Sequence, residues 1–283
     1  MRDDFGVIII SHGRPDCSTW RILREDGYTG KMLVLIDDED KTQCDYLARY
    51  NDSVRVFHKR VDFDIGDNFN GPNGIATFAR NEAVNVARRE GFKYFLMMDD
   101  DLKSIRYRYI QDGRLFGRKI HDFDAILTAM VEYMESAQVD IMGFGGVLDY
   151  IGGVSSFVKN EGKPECYNGY LFRTDSGRAF KGRYTEDYIM LNEAWRDGAK
   201  IVCFTPIQMT FDVWQPQKQS KNIKGGCQGV YSQNSGYLVR YYGVMFAPAS
   251  IKLKQGKSGD FTSNMNHCAF APKIISDRHR KAV

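Results

Sequence analysis

The sequence has few cysteines, and none of them falls in a pattern that builds a site. The six lie far apart, with no C-x-x-C pair and no histidine beside them at the spacing of zinc ligands: Cys17, Cys44, Cys166, Cys203, Cys227 and Cys268. This scatter argues against a zinc finger and against a disulfide framework. We therefore expect reduced thiols and a cytoplasmic protein.

Long hydrophobic runs are also missing. No apolar stretch approaches the roughly 18 to 20 residues that a membrane-spanning helix needs. The first four residues, Met1 to Asp4, lead into a short strand-like run without the apolar segment and cleavage site of a signal peptide. We expect a protein with no membrane partner that stays where it is made, and the sequence indicates no obligate protein partner.

Two common phosphate-binding motifs are absent as well. No G-x-G-x-x-G follows the first apolar run, which disfavours a dinucleotide-binding Rossmann site. No G-x-x-x-x-G-K-[ST] occurs anywhere, which excludes a P-loop. The glycine-rich segment Gly143–Gly146 matches neither pattern.

What is present is an ordinary globular composition with an uneven charge. Of 283 residues, 43% are hydrophobic and 27% are charged, which fits one large α/β domain. Residues 1–205 carry 28 Lys and Arg against 33 Asp and Glu, a net charge of −5, whereas residues 206–283 carry 11 against 3, a net charge of +8. The basic C-terminal region is either a partner surface for a polyanion or simply a solvated tail.

Short apolar runs alternate with amphipathic segments through the first half, which predicts a mostly parallel sheet with crossover helices. The predicted strands are 5–10, 31–36, 54–57, 93–98, 139–144 and 201–204. The predicted helices are 15–26, 41–50, 75–90, 122–136 and 185–197. Asp112-Gly113 between two apolar runs predicts a β-hairpin. Residues 58–74 and 215–236 are expected to be loops, and 145–184 to be irregular.

Asp99-Asp100-Asp101 directly follows a predicted buried strand. In open α/β sheets ligands bind outside the carboxyl ends of the strands. Three adjacent carboxylates repel one another, and a divalent cation relieves that repulsion. Mg²⁺ and similar hard cations are held by one or two carboxylates together with substrate phosphates. The alternative is an acidic turn that merely caps the next element, and we favour the metal–phosphate site.

Two further loops follow predicted strands. His12-Gly13-Arg14-Pro15 offers backbone N–H groups and a guanidinium to a phosphate. Asp37-Asp38, after the second strand, offers carboxylates to a base or to ribose hydroxyls. Each loop alone is weak evidence, and His12 could equally be a satisfied histidine at a strand end.

Thr185-Glu186-Asp187 begins a predicted helix. The plain interpretation is an N-cap followed by acids that complement the helix dipole. The functional interpretation makes one carboxylate a general base that removes the proton of an acceptor hydroxyl. The local sequence favours the cap.

Taken together, five segments resemble the GT-A class of nucleotide-sugar glycosyltransferases in order and spacing over residues 5–205: His12–Pro15, Asp37-Asp38, Ala79–Ala83, Phe95–Asp101 and Thr185–Asp187. Finer details more closely resemble phage glycosyltransferases associated with TET/JBP-type DNA dioxygenases: Ser11–Pro15, Gly27–Lys31 with Ile36–Asp40, and Gly66–Asn68. The resemblance implies an α/β GT-A fold, Rossmann-like, with a mixed, mostly parallel sheet flanked by helices. It also implies that the protein, where a phage encodes it, is located in the cytoplasm of the host.

The resemblance also implies roles for single residues. Asp99 and Asp101 form a D-x-D motif, with Asp101 the more direct ligand of Mn²⁺ or Mg²⁺ and Asp99 nearer the sugar or ribose. His267 is the candidate for a C-terminal metal ligand. Asp187, with Glu186 beside it, is the expected base. The nucleotide sugar, most simply a UDP-sugar, is expected to contact Ser11, His12, Arg14, Asp37, Arg80, Asn81, Asp99 and Asp100.

The resemblance implies a hydroxyl acceptor, in that family thought to be a hydroxymethylated pyrimidine in DNA, and 5-hydroxymethylcytosine is our preferred acceptor. A basic region at residues 206–283 suits DNA, because phosphate contacts supply much of the affinity. A glycan or protein acceptor is the alternative, and a non-catalytic nucleic-acid-binding module is a further one. We expect residues 1–205 to form the catalytic core and residues 206–283 to be an extension of the same domain that completes the site.

Two other enzyme classes place acids after a buried strand. A sugar-phosphate nucleotidyltransferase would show a G-G-x-G-T-R stretch after the first strand, where this chain has Ser11–Arg14. A phosphatase of the haloacid dehalogenase type expects Thr or Val two residues after its D-x-D, where this chain has Lys103. The substitution Asp101→Asn separates an enzyme, which loses turnover, from a pure binder, which keeps its DNA affinity.

Overall fold

The computed structural model describes residues 1–59, 76–166, 169–176, 178–181, 186–211, 251–255 and 261–265. Within these ranges nine strands form one sheet in the order β3-β2-β1-β4-β8-β7-β9-β5-β6, and β10 and β11 pair separately as an antiparallel hairpin. The strands are β1 Phe5–Ile10, β2 Lys31–Asp37, β3 Val54–Phe57, β4 Tyr94–Asp99, β5 Leu102–Gln111, β6 Arg114–Lys119, β7 Ile141–Gly145, β8 Gly169–Arg173, β9 Ile201–Phe211, β10 Ile251–Gln255 and β11 Phe261–Met265.

Helices lie on both faces of the sheet. They are α1 Ser18–Glu25, α2 Gln43–Tyr50, α3 Ala76–Arg89, α4 Phe123–Ala137, α5 Val154–Asn160 and α6 Glu186–Arg196. Alternate residues of the central strands point to opposite faces. One face packs with α1, α2 and α4 in one core, and the other packs with α3 and α6 in a second core. Burial on both faces explains why the central strands are continuous apolar runs.

The four strands β3, β2, β1 and β4 are all parallel. Ile10 of β1 is paired with Leu35 of β2 and with Asp99 of β4. The carboxyl ends of these strands therefore meet along one edge of the sheet. The mixed sheet flanked by helices that we predicted is confirmed.

The second half of the sheet differs from the pattern expected. Strand β8 lies in the segment predicted to be irregular, and it is antiparallel to both β4 and β7. Strand β9 runs on to Phe211, well beyond the predicted end at residue 204, because it pairs in parallel with β7 and then antiparallel with β5. The parallel share of the sheet is thus smaller than the predicted crossover pattern indicated.

Helix α3 buries two polar residues. In the sequence, Ile75, Ala79, Ala83 and Val86 predict the apolar stripe of this helix and leave Arg80 and Asn81 off it, yet both of these side chains are buried. The predicted hairpin is confirmed, since Asp112 and Gly113 connect β5 to β6 with φ angles of 48° and 69°. Both positive φ values are those of a type I′ turn.

The four cysteines in the described ranges, Cys17, Cys44, Cys166 and Cys203, are free thiols. None of the described helices is long and apolar enough to cross a membrane. The predicted loops at residues 60–74 and 215–236 lie outside the described residues.

Candidate active site

The edge where β1, β2 and β4 end is a topological switch point. The chain leaves β1 through α1 on one face of the sheet and reaches β4 through α3 on the other. The strand order reverses here, since β2 and β3 lie on one side of β1 and β4 lies on the other, and open α/β sheets bind ligands in the crevice at such a point. Ser11 follows β1, and the aspartate triplet begins at Asp99, the last residue of β4, so both flank this crevice.

The three aspartates divide by exposure. The side chain of Asp100 is 1% exposed, whereas those of Asp99 and Asp101 are 28% and 30% exposed. The backbone behind the triplet is anchored to α1, since the hydroxyl of Thr19 donates to the carbonyl of Asp99 at 2.7 Å and accepts from the amide of Leu102 at 3.0 Å. Two carboxylates are thus held at the surface of the crevice by a rigid backbone.

Asp100 is the buried support of this arrangement. Its carboxylate accepts a short hydrogen bond from Ser11, whose hydroxyl lies 2.6 Å from that of Tyr46. Arg14 Nη2 lies 2.7 Å from Asp100 Oδ1. Burial raises the pKa of Asp100 to about 6, although Ser11 and Arg14 favour its charged form.

Arg14 also contacts Asp101, one of the two accessible aspartates of the triplet. Its Nη1 lies 3.3 Å from Asp101 Oδ2. Burial, followed by the negative charge of Asp99, raises the pKa of Asp101. Because Arg14 is more than half exposed, its guanidinium is placed to move toward an incoming anion.

The loops after β1 and β2 are tied to each other. His12 Nδ1 lies 2.6 Å from Asp37 Oδ2, and Lys59 Nζ lies 3.0 Å from Asp37 Oδ1. Asp40 Oδ2 accepts from the amide of Gly13 at 2.8 Å. The structure therefore brings His12 and Asp37 together, as the order of the strands predicts, but gives the buried Asp37 protein partners at both oxygens.

Arg80 joins the triplet to the acidic pair at the start of α6. Its Nη2 lies 3.3 Å from Asp99 Oδ1 and its Nε donates to Glu186 Oε1 at 3.1 Å. The guanidinium lies 5.7 Å from the ring centroid of Tyr170 and 5.6 Å from that of Phe180. Burial alone would lower the pKa of this group, but the charges of Asp99 and Glu186 raise it.

Asn81, the neighbour of Arg80, is bound to the backbone of Phe180. Its Nδ2 donates to the carbonyl of Phe180 at 2.9 Å, and its Oδ1 accepts from the amide of the same residue at 2.7 Å. Both ends of the side-chain amide are therefore engaged by backbone, with one N–H and one oxygen lone pair remaining. Its expected contact with the nucleotide stays a prediction.

Glu186 and Asp187 lie in the first turn of α6. Burial raises the pKa of Asp187 to about 7, and the neighbouring charge of Glu186 acts in the same direction. A carboxyl group with a pKa near neutrality has the property of a general base. Thr185, the predicted N-cap, lies outside the described residues, as does His267.

Asp99 and Asp101 suit a hard divalent cation. They are two oxygen donors with accessible side chains, and the diphosphate of a donor would complete the coordination. The described residues hold no cluster of three or more His, Cys, Asp or Glu side chains that could bind a metal ion by themselves. The donor set therefore fits a cation that is shared with a ligand.

Several site residues were missed by sequence reasoning. Tyr46 and Asp40 fasten the loop after β1, and Lys59 neutralises Asp37. Asp40 belongs to the acidic run at the end of β2, and that run was a sequence signal from which its place in the site could have been predicted. The tyrosine and the lysine carry no signal in the local sequence, because their contacts depend on the packing of α2 and of the chain after β3.

The arrangement of sheet, switch point and acidic strand end is that of a GT-A nucleotide-sugar glycosyltransferase. The family model of the TET-associated glycosyltransferases matches residues 5–221. The chain belongs to this family, and it is a nucleotide-sugar glycosyltransferase. No curated protein sequence matches it significantly.

One solved structure supports the fold, and two others are similar at lower scores. A crystal structure of a mycobacterial protein has a TM-score of 0.50 and 13% identity, covering 92% of this chain and 83% of that one. Glucosyl-3-phosphoglycerate synthase from Mycobacterium tuberculosis, solved with Mn²⁺, UDP and glucosyl-3-phosphoglycerate, has a TM-score of 0.48 and 10% identity over 92% of this chain and 86% of that one. TarS 1–349 from S. aureus, solved with UDP, has a TM-score of 0.44 and 12% identity over 87% and 73%.

Proposed function

We propose that this protein transfers a sugar from a UDP-sugar to the hydroxymethyl group of a modified pyrimidine in DNA, with 5-hydroxymethylcytosine as the principal acceptor and Mn²⁺ or Mg²⁺ as cofactor. The observation that carries the donor half of this proposal is the pair of accessible carboxylates, Asp99 and Asp101, at the β1/β4 switch point. The acceptor half rests on membership of the TET-associated family and on charge.

At the donor end, Asp99 and Asp101 would hold the cation, and Arg14, which lies 3.3 Å from Asp101, would meet the diphosphate beside them. When bound, the cation neutralises charge that develops on the departing nucleoside diphosphate. His12 and Asp37 form the side wall toward β2, where a base or ribose would lie. Arg80 fixes Asp99 in place through its contact at 3.3 Å.

At the acceptor end, Asp187 would take the proton of the attacking hydroxymethyl group. The acceptor oxygen forms a bond to the anomeric carbon while the bond from that carbon to the diphosphate oxygen breaks, and the hydroxyl proton passes to the carboxylate. The raised pKa of Asp187 matches this task. Glu186 is paired with Arg80 and so serves to orient the start of α6.

Support for a DNA acceptor comes from residues 206–283, whose net charge of +8 favours contact with phosphates. We include in the proposal that this region completes the site as part of the same domain as residues 1–205. His267 would add a third metal ligand from this region.

The test is to incubate the protein with Mn²⁺, a panel of nucleotide sugars and duplex DNA that contains 5-hydroxymethylcytosine, followed by nucleoside mass spectrometry. We expect the mass of one sugar on the modified base. Asp101→Asn should lose turnover by orders of magnitude, whereas Asp45→Asn, an exposed aspartate of α2, should behave as wild type. Modification of a glycan or a protein in the same assay, with DNA left unchanged, would overturn the acceptor assignment.

A further inference from the structure

The hairpin formed by β5 and β6 lies at one edge of the sheet, and beyond Tyr107, where the pairing of β5 with β9 ends, it is a two-stranded ribbon. Strand β5 begins at Leu102, the residue after the aspartate triplet, and β6 is the terminal strand of the sheet. Cross-strand partners share a face, so Tyr107 with Arg118 and Tyr109 with Phe116 lie on one side of the ribbon. We call this side the outer face, and it also carries the pair Gln111 and Arg114.

The ribbon has a charge opposite to that of the body around it. Residues 102–119 contain six Lys and Arg and one acid, a net charge of +5. Because residues 1–205 have a net charge of −5, the rest of that segment has a net charge of −10. A concentrated positive charge on an acidic body is the electrostatic pattern of a surface that meets a polyanion.

The outer face is aromatic as well as basic. Tyr107 and Phe116 are 45% and 42% exposed. Tyr109 stacks between them, with ring centroids 5.9 Å away on each side. Arg118 lies 5.0 Å from the centroid of the Tyr109 ring, and its Nε donates to the tyrosine hydroxyl at 2.9 Å. Exposed aromatics in a contiguous row mark interaction surfaces.

The opposite face of the ribbon is fastened to the protein. Arg108 Nε donates to Gln208 at 2.7 Å, and its guanidinium lies 5.2 Å from the ring centroid of Tyr150. Gly117, opposite Arg108, leaves the space in which that guanidinium lies. Anchoring at Arg108 fixes the ribbon to the protein, while the outer face presents Arg114 and Arg118 beside the row of aromatic rings.

We propose that the outer face of the β5–β6 ribbon binds the duplex DNA that flanks the target base. This inference rests on the proposed DNA acceptor. A two-stranded β-ribbon fits the major groove, where arginines reach phosphates and guanines and aromatic rings contact thymine methyl groups. Tyr109 follows Asp101 by eight residues, which is about 27 Å of extended strand. That length equals about 8 base pairs of duplex at 3.4 Å per step.

The test combines binding and turnover. Fluorescence anisotropy with a 30-base-pair duplex, measured over a salt series without donor, compares wild type with the double variant Arg114→Ala/Arg118→Ala. We expect at least tenfold weaker binding and a slope of log Kd against log salt that is smaller by about 2, since two phosphate contacts are lost. The matched control, Arg21→Ala/Arg196→Ala, removes two exposed arginines elsewhere and should bind as wild type.

Duplex length gives the second measurement. Wild type should modify a target base with 15 flanking base pairs at least fivefold faster than one with 4. The double variant Arg114→Ala/Arg118→Ala, which we call the ribbon variant, should lose this difference in rate. It should retain its thermal shift with UDP and Mn²⁺. A ribbon variant with wild-type affinity and salt slope would overturn the ribbon assignment while the acceptor proposal stands. A wild-type protein that neither binds nor modifies DNA would overturn the acceptor proposal and this inference together, and would leave a protein partner for the outer face.

Discussion

Replacement of Arg80 by methionine removes a cation that contacts both Asp99 and Glu186. Loss of one partner from a buried ion pair costs about 3–5 kcal/mol. Asp99 is 28% exposed, so water recovers part of this cost, and we expect a loss near the lower limit, about 3 kcal/mol. For a domain of this size that is a fall of about 6–12 °C in Tm.

The assay is urea unfolding of the variant beside Arg88→Met, which changes an exposed arginine of the same helix and should stay within about 0.5 kcal/mol of wild type. The double variant Arg80→Met/Glu186→Gln should recover part of the loss, because it removes an unpaired carboxylate. An Arg80→Met protein as stable as wild type, or a strictly additive double variant, would refute the bridging role.

Three further predictions concern the site and its frame. The kcat/KM of the wild type should rise about tenfold per pH unit up to pH 7 and then level off. The reason is that burial raises the pKa of Asp187 to about 7 and the base acts only when deprotonated. A flat profile from pH 5 to 8 would contradict this. Asn81→Ala should cost about 2–4 kcal/mol of stability through two lost buried hydrogen bonds; a variant as stable as wild type in urea would show that these bonds do not hold the chain. Gly27→Ala, at a φ of +92° with the backbone of His121 in the way, should destabilise more in urea than Gly91→Ala, whose φ is +74° with open space around it; equal costs would refute the steric argument.

The first half of the fold was predictable because its strands are buried on both faces. Burial of that kind requires a continuous apolar run, such as Phe5–Ile10 or Met32–Ile36, that differs clearly from its polar neighbours. Strand β8 was missed because only five residues form it, within a stretch rich in Gly, Ser and Asn. Its position between β4 and β7 depends on pairing with residues distant in sequence.

The site was predictable at the level of loops and not at the level of contacts. The order of parallel strands brought the loop after Ile10 and the triplet that begins at Asp99 to one edge, as expected. The burial of Arg80 was not foreseen, because helical periodicity assigns a charged residue to solvent. Arg80 is buried because it pairs with the carboxylates of Asp99 in β4 and Glu186 in α6. Neither residue lies near Arg80 in the sequence.

We propose that Asp99 and Asp101 bind the donor diphosphate through a shared divalent cation, and a thermal-shift titration distinguishes this from binding that needs no cation. With UDP at about a hundred times its Kd, we expect Mn²⁺ and UDP together to stabilise the wild type by about 2.7 kcal/mol. That corresponds to a rise in Tm of about 5–10 °C, with little effect of either ligand alone. The joint effect should vanish in Asp99→Asn and Asp101→Asn and persist in Asp45→Asn. A shift with UDP that is indifferent to Mn²⁺, or that survives both substitutions, would contradict the account.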